Sequence, residues 1–93
     1  MKLLADDEIQ ARLAGLEGWT RAPQAIQKRY RLDSFPSVMN FVNRVADLAE
    51  GAAHHPDILI QYDSVTFTLT THDAGGVTEK DLVLAERIEA IAP

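Results

Sequence analysis

The stretch DILIQYDSVTFTLTT, residues 57–71, sets the fold of this chain. Apolar and polar residues alternate on both sides of Asp63-Ser64, which is the pattern of a β-hairpin with a two-residue turn. A slip of one residue would pair isoleucines with threonines and send a strand's apolar side chains to the wrong face. The pattern therefore predicts one apolar face, with Tyr62 opposite Val65, Ile60 opposite Phe67 and Ile58 opposite Leu69.

Toward the open end of the hairpin, the same register sets His55 directly opposite His72. Cross-strand neighbours have Cβ atoms about 4.5–5.5 Å apart. The pairing is conditional there, because Pro56 cannot donate a hydrogen bond to a strand ladder. The pattern thus predicts that two histidines remote in sequence meet on the face that carries Thr68 and Thr70.

Further elements flank the hairpin, and the strongest is a long helix whose apolar residues recur at three- and four-residue steps. A first helix is capped by Asp6 or Asp7, and a strand follows at 26–32. The main helix begins at Asp33-Ser34-Phe35-Pro36 and ends at Gly51. The last helix spans 78–90, after the hairpin, and begins with a Thr78-x-x-Asp81 capping box. The order α-β-β-α-β-β-α, which places one more strand ahead of a turn at Ala22-Pro23-Gln24, predicts an α+β fold, in which a four-stranded antiparallel sheet carries three helices on one face.

Composition narrows the class of protein. At 93 residues the chain has room for one domain, residues 1–93. A net charge of −5 argues against a nucleic-acid partner, because phosphate binding requires clustered lysine and arginine. The lack of cysteine excludes disulfides and cysteine nucleophiles. The first apolar stretch is too short for a signal peptide and no run is long enough to span a membrane, so we expect a cytoplasmic protein without a membrane partner.

All three histidines of the chain fall in one window of its second half. Histidine is the side chain that both gives and takes protons near neutral pH. The window therefore indicates proton chemistry on a small substrate. It reads Glu50-x3-His54-His55-Pro56-x5-Tyr62-x9-His72-x8-Asp81.

Plainer interpretations of these residues stay open. The histidine pair could form an ordinary polar loop, Asp81 could serve only as a helix cap, and Glu50 could be a solvated carboxylate. Three histidines with nearby carboxylates could also hold zinc, but the His-x3-His spacing of a helical site is missing. No serine stands in a nucleophile elbow, so a Ser-His-Asp triad is disfavoured.

On this spacing, the chain resembles the pterin-4a-carbinolamine dehydratases, also called 4a-hydroxytetrahydrobiopterin dehydratases. The motif matches throughout, and the resemblance covers nearly the whole chain. Flanking matches include Trp19, Phe35, Phe41, Ala49-Glu50, Leu69-Thr70-Thr71-His72, Gly76-Val77-Thr78 and Leu84-Ala85.

The resemblance implies an α+β fold with an antiparallel four-stranded sheet, assembled as a homodimer or homotetramer. It implies dehydration of a 4a-hydroxytetrahydropterin to the quinonoid dihydropterin, which recycles the pterin used by aromatic amino-acid hydroxylases. Neither a metal nor an organic cofactor is expected, since the pterin is the substrate. A hydroxylase is the expected functional link. The alternative is a binding module, because animal members also act as dimerisation cofactors of a transcription factor.

The resemblance also implies roles for individual residues. His54 is the expected general acid at the departing hydroxyl, His72 takes part in proton removal or hydroxyl binding, and His55 holds and polarises the pterin. Which histidine is acid and which is base stays open, because coupled groups share apparent pKa values. The expected pocket residues are Ala53, Thr70, Thr71 and Asp73, and the expected supports are Glu50, Pro56 and Asp81.

Two positions depart from the family pattern. Ala53 stands where better-known animal members carry an aspartate, and we expect this change to alter substrate affinity. Val77 replaces the more usual leucine of a Gly-Leu-Thr sequence, and we expect no consequence from that exchange.

Overall fold

A computed structural model describes residues 2–93, and its elements follow the predicted order. They are α1 (Asp6–Leu13), β1 (Thr20–Ala22), β2 (Ala25–Arg31), α2 (Phe35–Ala52), β3 (Asp57–Gln61), β4 (Ser64–Leu69), a single 3₁₀ turn (His72–Ala74) and α3 (Glu79–Ile91). The strands form one antiparallel sheet in the order β1-β2-β4-β3. The α+β class and the element order are confirmed.

The core lies between one face of the sheet and the helices. On β4, Val65, Phe67 and Leu69 are fully buried, because successive side chains of a strand point to opposite faces. From α2, Phe41 meets Phe67 edge to face, with ring centroids 5.4 Å apart. The opposite face of the sheet carries threonines and charged residues.

Lys28 interrupts the apolar alternation of β2, yet it pairs with Phe67 and shares the core-facing side of the sheet. Its ammonium donates to Glu89 of α3, with Nζ 2.9 Å from Oε1. Tyr30 and Trp19 donate to the same oxygen, at 2.5 and 3.2 Å. We call Trp19, Lys28, Tyr30 and Glu89 the Glu89 cluster. It ties the last turn of α3 to the sheet.

The predicted hairpin register is wrong by two residues. The turn is formed by Tyr62-Asp63, and Ile58 and Ile60 face Phe67 and Val65, respectively. The alternation of apolar and polar residues excludes a slip of one residue, which would move the apolar side chains to the other face. A slip of two residues keeps them on the same face, so the alternation cannot detect it. Tyr62 accordingly takes the positive φ of 52° that this turn requires.

The direct cross-strand pairing of His55 with His72 is therefore wrong as well. Pairing between β3 and β4 ends at Asp57 and Thr68, before either histidine is reached. His72 instead opens the 3₁₀ turn that follows β4.

The helix boundaries confirm some predicted caps and correct others. Ser34 caps α2, and the Thr78–Asp81 capping box begins α3, as predicted. The first helix is capped at Ala5, whose N–H donates to Glu8 across 3.2 Å, and neither predicted aspartate is the cap. α2 continues past Gly51 to Ala52. Of the helices in residues 2–93, none has the length and apolar character that crossing a membrane requires.

Candidate active site

The predicted site residues gather where the end of α2, the end of β4 and the start of α3 converge. They surround a cavity of about 270 Å³, which we call the histidine cavity. Its lining includes every residue predicted to react with or bind a substrate. The lining residues are Ala53, His54, His55, Thr70, Thr71, His72, Asp73 and Lys80.

The end of α2 aims the histidine pair. Ala53 leaves the helix in the left-handed conformation, with φ 51° and ψ 39°. The N–H of His54 then donates to the carbonyl of Ala49 across 3.1 Å, which closes the last turn. Pro56 follows and restricts His55 to extended geometry, so the two histidine side chains diverge.

His54 is held by Asp81, the carboxylate of the α3 capping box. Its Nε2 donates to Asp81 Oδ1 across 2.6 Å, and Asp81 is fully buried. Thr71 Oγ1 and the N–H of Thr78 both donate to Oδ2 across 2.8 Å. A buried carboxylate needs such donors, because leaving its charge unpaired would cost several kcal/mol (about 3–5). Asp81 is therefore both a helix cap and a partner of His54, and the two interpretations do not exclude each other.

His55 pairs with Glu50 in a very different setting. His55 Nε2 lies 2.7 Å from Glu50 Oε1, and both side chains are largely exposed, at 67% and 79%. Solvent weakens such a pair, so it contributes little to folding stability. His55 also lines the histidine cavity, so the contact lies beside it.

His72 reaches the cavity from the tight turn after β4. The turn is closed by the N–H of Thr71, which donates to the carbonyl of Gly76 across 2.9 Å. Gly75 has a φ of 80°, where a side chain would be strained. The His72 and Asp73 side chains are exposed, so both can reach a bound ligand.

Lys80 also lines the cavity, and the sequence pattern did not single it out. Its position beside Asp81, in the first turn of α3, was the available signal. The three predicted supporting residues, Glu50, Pro56 and Asp81, do not line the cavity. Glu50 contacts His55 and Asp81 contacts His54. Within residues 2–93, no three acidic or histidine side chains group as they would around a metal ion.

Comparison with known proteins identifies the family to which the chain is similar. Residues 2–91 match the sequence profile of the family described as pterin 4 alpha carbinolamine dehydratase. A relative from Roseiflexus sp. (strain RS-1), provisionally named pterin-4-alpha-carbinolamine dehydratase, is 56% identical over 95% of each chain. A relative of the same provisional name from Koribacter versatilis (strain Ellin345) is 49% identical over 99% of this chain and 98% of its own length.

Two solved structures share the fold. A transcriptional coactivator/pterin dehydratase from Brucella melitensis superposes with a TM-score of 0.95 at 33% identity, over 99% of this chain and 100% of the other. A pterin dehydratase-like protein described as a RuBisCO assembly factor in the alpha-carboxysome has a TM-score of 0.64 at 25% identity, over 77% and 83% of the two chains. The fold therefore also occurs in proteins described by assembly and coactivator roles.

Proposed function

The chain belongs to the pterin 4 alpha carbinolamine dehydratase family, and we propose that it dehydrates a 4a-hydroxytetrahydropterin to the quinonoid dihydropterin. The single observation that carries this proposal is the buried His54–Asp81 pair beside a cavity that His55 and His72 also line. Capping α3 would not by itself require Asp81 to contact His54 as well, and that contact suits a histidine that transfers protons.

The reaction requires two proton movements on one flat substrate. The C4a–O bond breaks, and the oxygen leaves with the bonding electrons and takes up a proton to become water. The N5 lone pair forms the C4a=N5 double bond, and N5 then loses its hydrogen as a proton. The sum is loss of one water without oxidation or reduction, so the pterin is the only reactant and no cofactor is consumed.

His54 suits the role of general acid. Because its Nε2 is engaged by Asp81, Nδ1 is the nitrogen left to exchange a proton with the hydroxyl. The Asp81 carboxylate compensates the positive charge of a protonated His54. Without that carboxylate, a positive charge on His54 would be costly, because the His54 side chain is only 11% exposed.

The other cavity residues complete the proposal. His72, at the exposed rim, accepts the N5 proton or binds the hydroxyl, and His55 holds the pterin while Glu50 orients its ring. Pro56 supports the position of His55. The remaining pocket residues proposed to contact the pterin are Ala53, Thr70, Thr71 and Asp73.

The proposal is tested by following the loss of 4a-hydroxytetrahydropterin by its ultraviolet absorbance. We expect His54→Ala and His72→Ala each to lower the rate by about 10²–10⁴-fold, the usual size of a positioned acid or base. Arg29→Gln, on the exposed face of the sheet, is the matched control and should retain the wild-type rate. A wild-type protein that fails to exceed the buffer blank would exclude the enzyme.

The expected homo-oligomer finds support in strand β3, which is an edge of the sheet with an unpaired backbone. Its large apolar side chains are exposed, Ile58 at 37% and Leu59 at 55%. A second copy of the chain is the partner we propose for this edge. Light scattering tests it, since Leu59→Lys should lower the mass in solution. On the same proposal, the protein serves an aromatic amino-acid hydroxylase in the cytoplasm.

A further inference from the structure

A second cavity, of about 300 Å³, adjoins the histidine cavity and lies between the end of α2 and α3. We call it the α3 groove. Four of its lining residues are at positions i, i+3, i+4 and i+7 of α3, which fall on one face of a helix. The groove is lined on that face by Lys80, Val83, Leu84 and Arg87, and at the end of α2 by Ala52 and His54.

The two cavities share His54 and Lys80. A ligand that reacts at His54 can therefore extend into the groove without leaving the protein surface. From Lys80 to Arg87, the groove runs seven residues along the helix, or about 10 Å at 1.5 Å per residue. With the pterin ring at His54, as proposed above, a methyl or short hydroxylated chain is shorter than this groove, and only a long substituent spans it to Arg87.

The walls of the groove define what such a substituent must be. Its floor is apolar, formed by Ala52, Val83 and the buried Leu84. Its far end carries the guanidinium of Arg87. The one acidic residue of the lining, Glu79, is already paired with Arg12 across 2.9 Å, so its charge is largely balanced. Apolar walls that end in a cation fit an apolar segment with a terminal anion.

We infer that the α3 groove binds the 6-substituent of the pterin and favours a long substituent whose apolar, aromatic segment ends in a carboxylate, as in folates. This inference rests on the proposed function for the position of the pterin ring at His54. Arg87 is then a specificity residue that touches the substituent and takes no part in the proton transfers.

Equilibrium binding of two stable dihydropterins tests the inference. Isothermal titration gives the dissociation constants of 7,8-dihydrofolate, which has the long anionic substituent, and of 7,8-dihydro-6-methylpterin, which lacks it. Wild type should prefer dihydrofolate. Arg87→Gln should reduce that preference about threefold to fivefold, the size of one exposed ion pair, and Arg87→Glu should reduce it further. Added salt should weaken the preference.

Arg29→Gln is the matched control, because it removes the same charge from the exposed face of the sheet. An Arg87→Gln protein with the wild-type preference would overturn the inference. A wild type that binds both ligands equally would overturn it too. If Arg87→Gln instead lowers the mass in light scattering without changing the preference, a second copy covers the groove and the inference is wrong.

The outcomes also separate this inference from the proposed dehydration. If 4a-hydroxypterins are not turned over but the Arg87-dependent preference is found, the groove binds as inferred and the dehydratase proposal fails. If turnover is found and the preference does not depend on Arg87, only the inferred subsite fails.

Discussion

Asp81 and Glu89 stand at opposite ends of α3, and each accepts several hydrogen bonds from elsewhere in the chain. Asp81 is fully buried and accepts from His54, Thr71 and Thr78. Glu89, with a side chain 33% exposed, accepts from the lysine, tyrosine and tryptophan of its cluster. Asp81 pairs with an imidazole, a side chain that can both give and accept a proton, whereas Glu89 accepts hydrogen bonds from an ammonium and a phenol. One carboxylate is therefore suited to chemistry and the other to stability.

The helix itself sharpens this difference. A carboxylate in the first turn is favoured by the helix dipole, and one in the last turn is disfavoured. Asp81 is thus held by the helix as well as by its donors, whereas Glu89 depends on Lys28 and Tyr30. Burial opposes the ionisation of Glu89, but these hydrogen bonds outweigh it and hold the pKa of Glu89 below its ordinary value. Burial, followed by the adjacent Glu89 carboxylate, raises the pKa of Tyr30 and keeps its hydroxyl a donor.

The largest expected effect is that of Asp81→Asn on activity. An amide cannot compensate a protonated His54, so we expect the dehydration rate to fall about 10²-fold or more. Glu89→Gln makes the same chemical change at the other end of α3 and should keep the rate within about threefold of wild type. If both variants lose activity alike, the contrast between the two ends is wrong.

A double variant distinguishes positioning from a general loss of structure. If Asp81 acts through His54, adding Asp81→Asn to His54→Ala should lower the rate little further, because the two act as a unit. Multiplicative losses would show that Asp81 acts independently of His54. The pH profile of the rate is the second readout, since only a change at the acid–base pair should shift it.

The second effect is the loss of stability in Glu89→Gln. Removing the carboxylate leaves the Lys28 charge poorly compensated, with its side chain only 16% exposed. We expect a loss of about 1–3 kcal/mol in the free energy of unfolding, measured by urea denaturation. Restoring most of that free energy by Lys28→Met in the Glu89→Gln protein would attribute the loss to the unpaired lysine. No recovery would point to another cause.

Much of this architecture is readable from the sequence where local patterns determine it. The alternation of β3 and β4 identifies the hairpin and its apolar face, and the caps at Ser34 and Thr78 begin two helices correctly. The register fails because a shift of two residues preserves every face. The three histidines nevertheless line one cavity, because the end of α2 and the turn after β4 both lie beside the start of α3.

The features that local patterns miss depend on distant partners or on backbone geometry. Lys28 can lie on the core-facing side of β2 because its ammonium donates to the carboxylate of Glu89, 61 residues away. Nothing near Lys28 in the sequence signals that partner. The sequence predicts that α2 ends at Gly51, but the left-handed residue is Ala53, and alanine rarely takes that conformation.

A smaller effect is expected in the pH dependence of stability. Glu89 has a folded pKa below the ordinary value of 4.5, so its ionisation stabilises the fold above that pH. This contribution is lost as the pH falls through the folded pKa. Between about pH 5 and about pH 3, wild type should therefore lose more stability than Glu89→Gln, as urea midpoints would measure. Equal losses would mean that the Glu89 cluster does not lower this pKa.

The smallest effect tests whether the backbone beside the histidine cavity holds strain. Ala53 has a φ of 51°, where alanine is disfavoured, whereas Gly51 lies within α2 and a Cβ added there meets nothing within 4 Å. Ala53→Gly and Gly51→Ala should thus each stabilise the protein, by about 0.5–1 kcal/mol. If the helix instead ended at Gly51, both exchanges would destabilise it. Since Ala53 lines the histidine cavity, a gain in stability with a loss of activity in Ala53→Gly would show that the strain serves to aim His54.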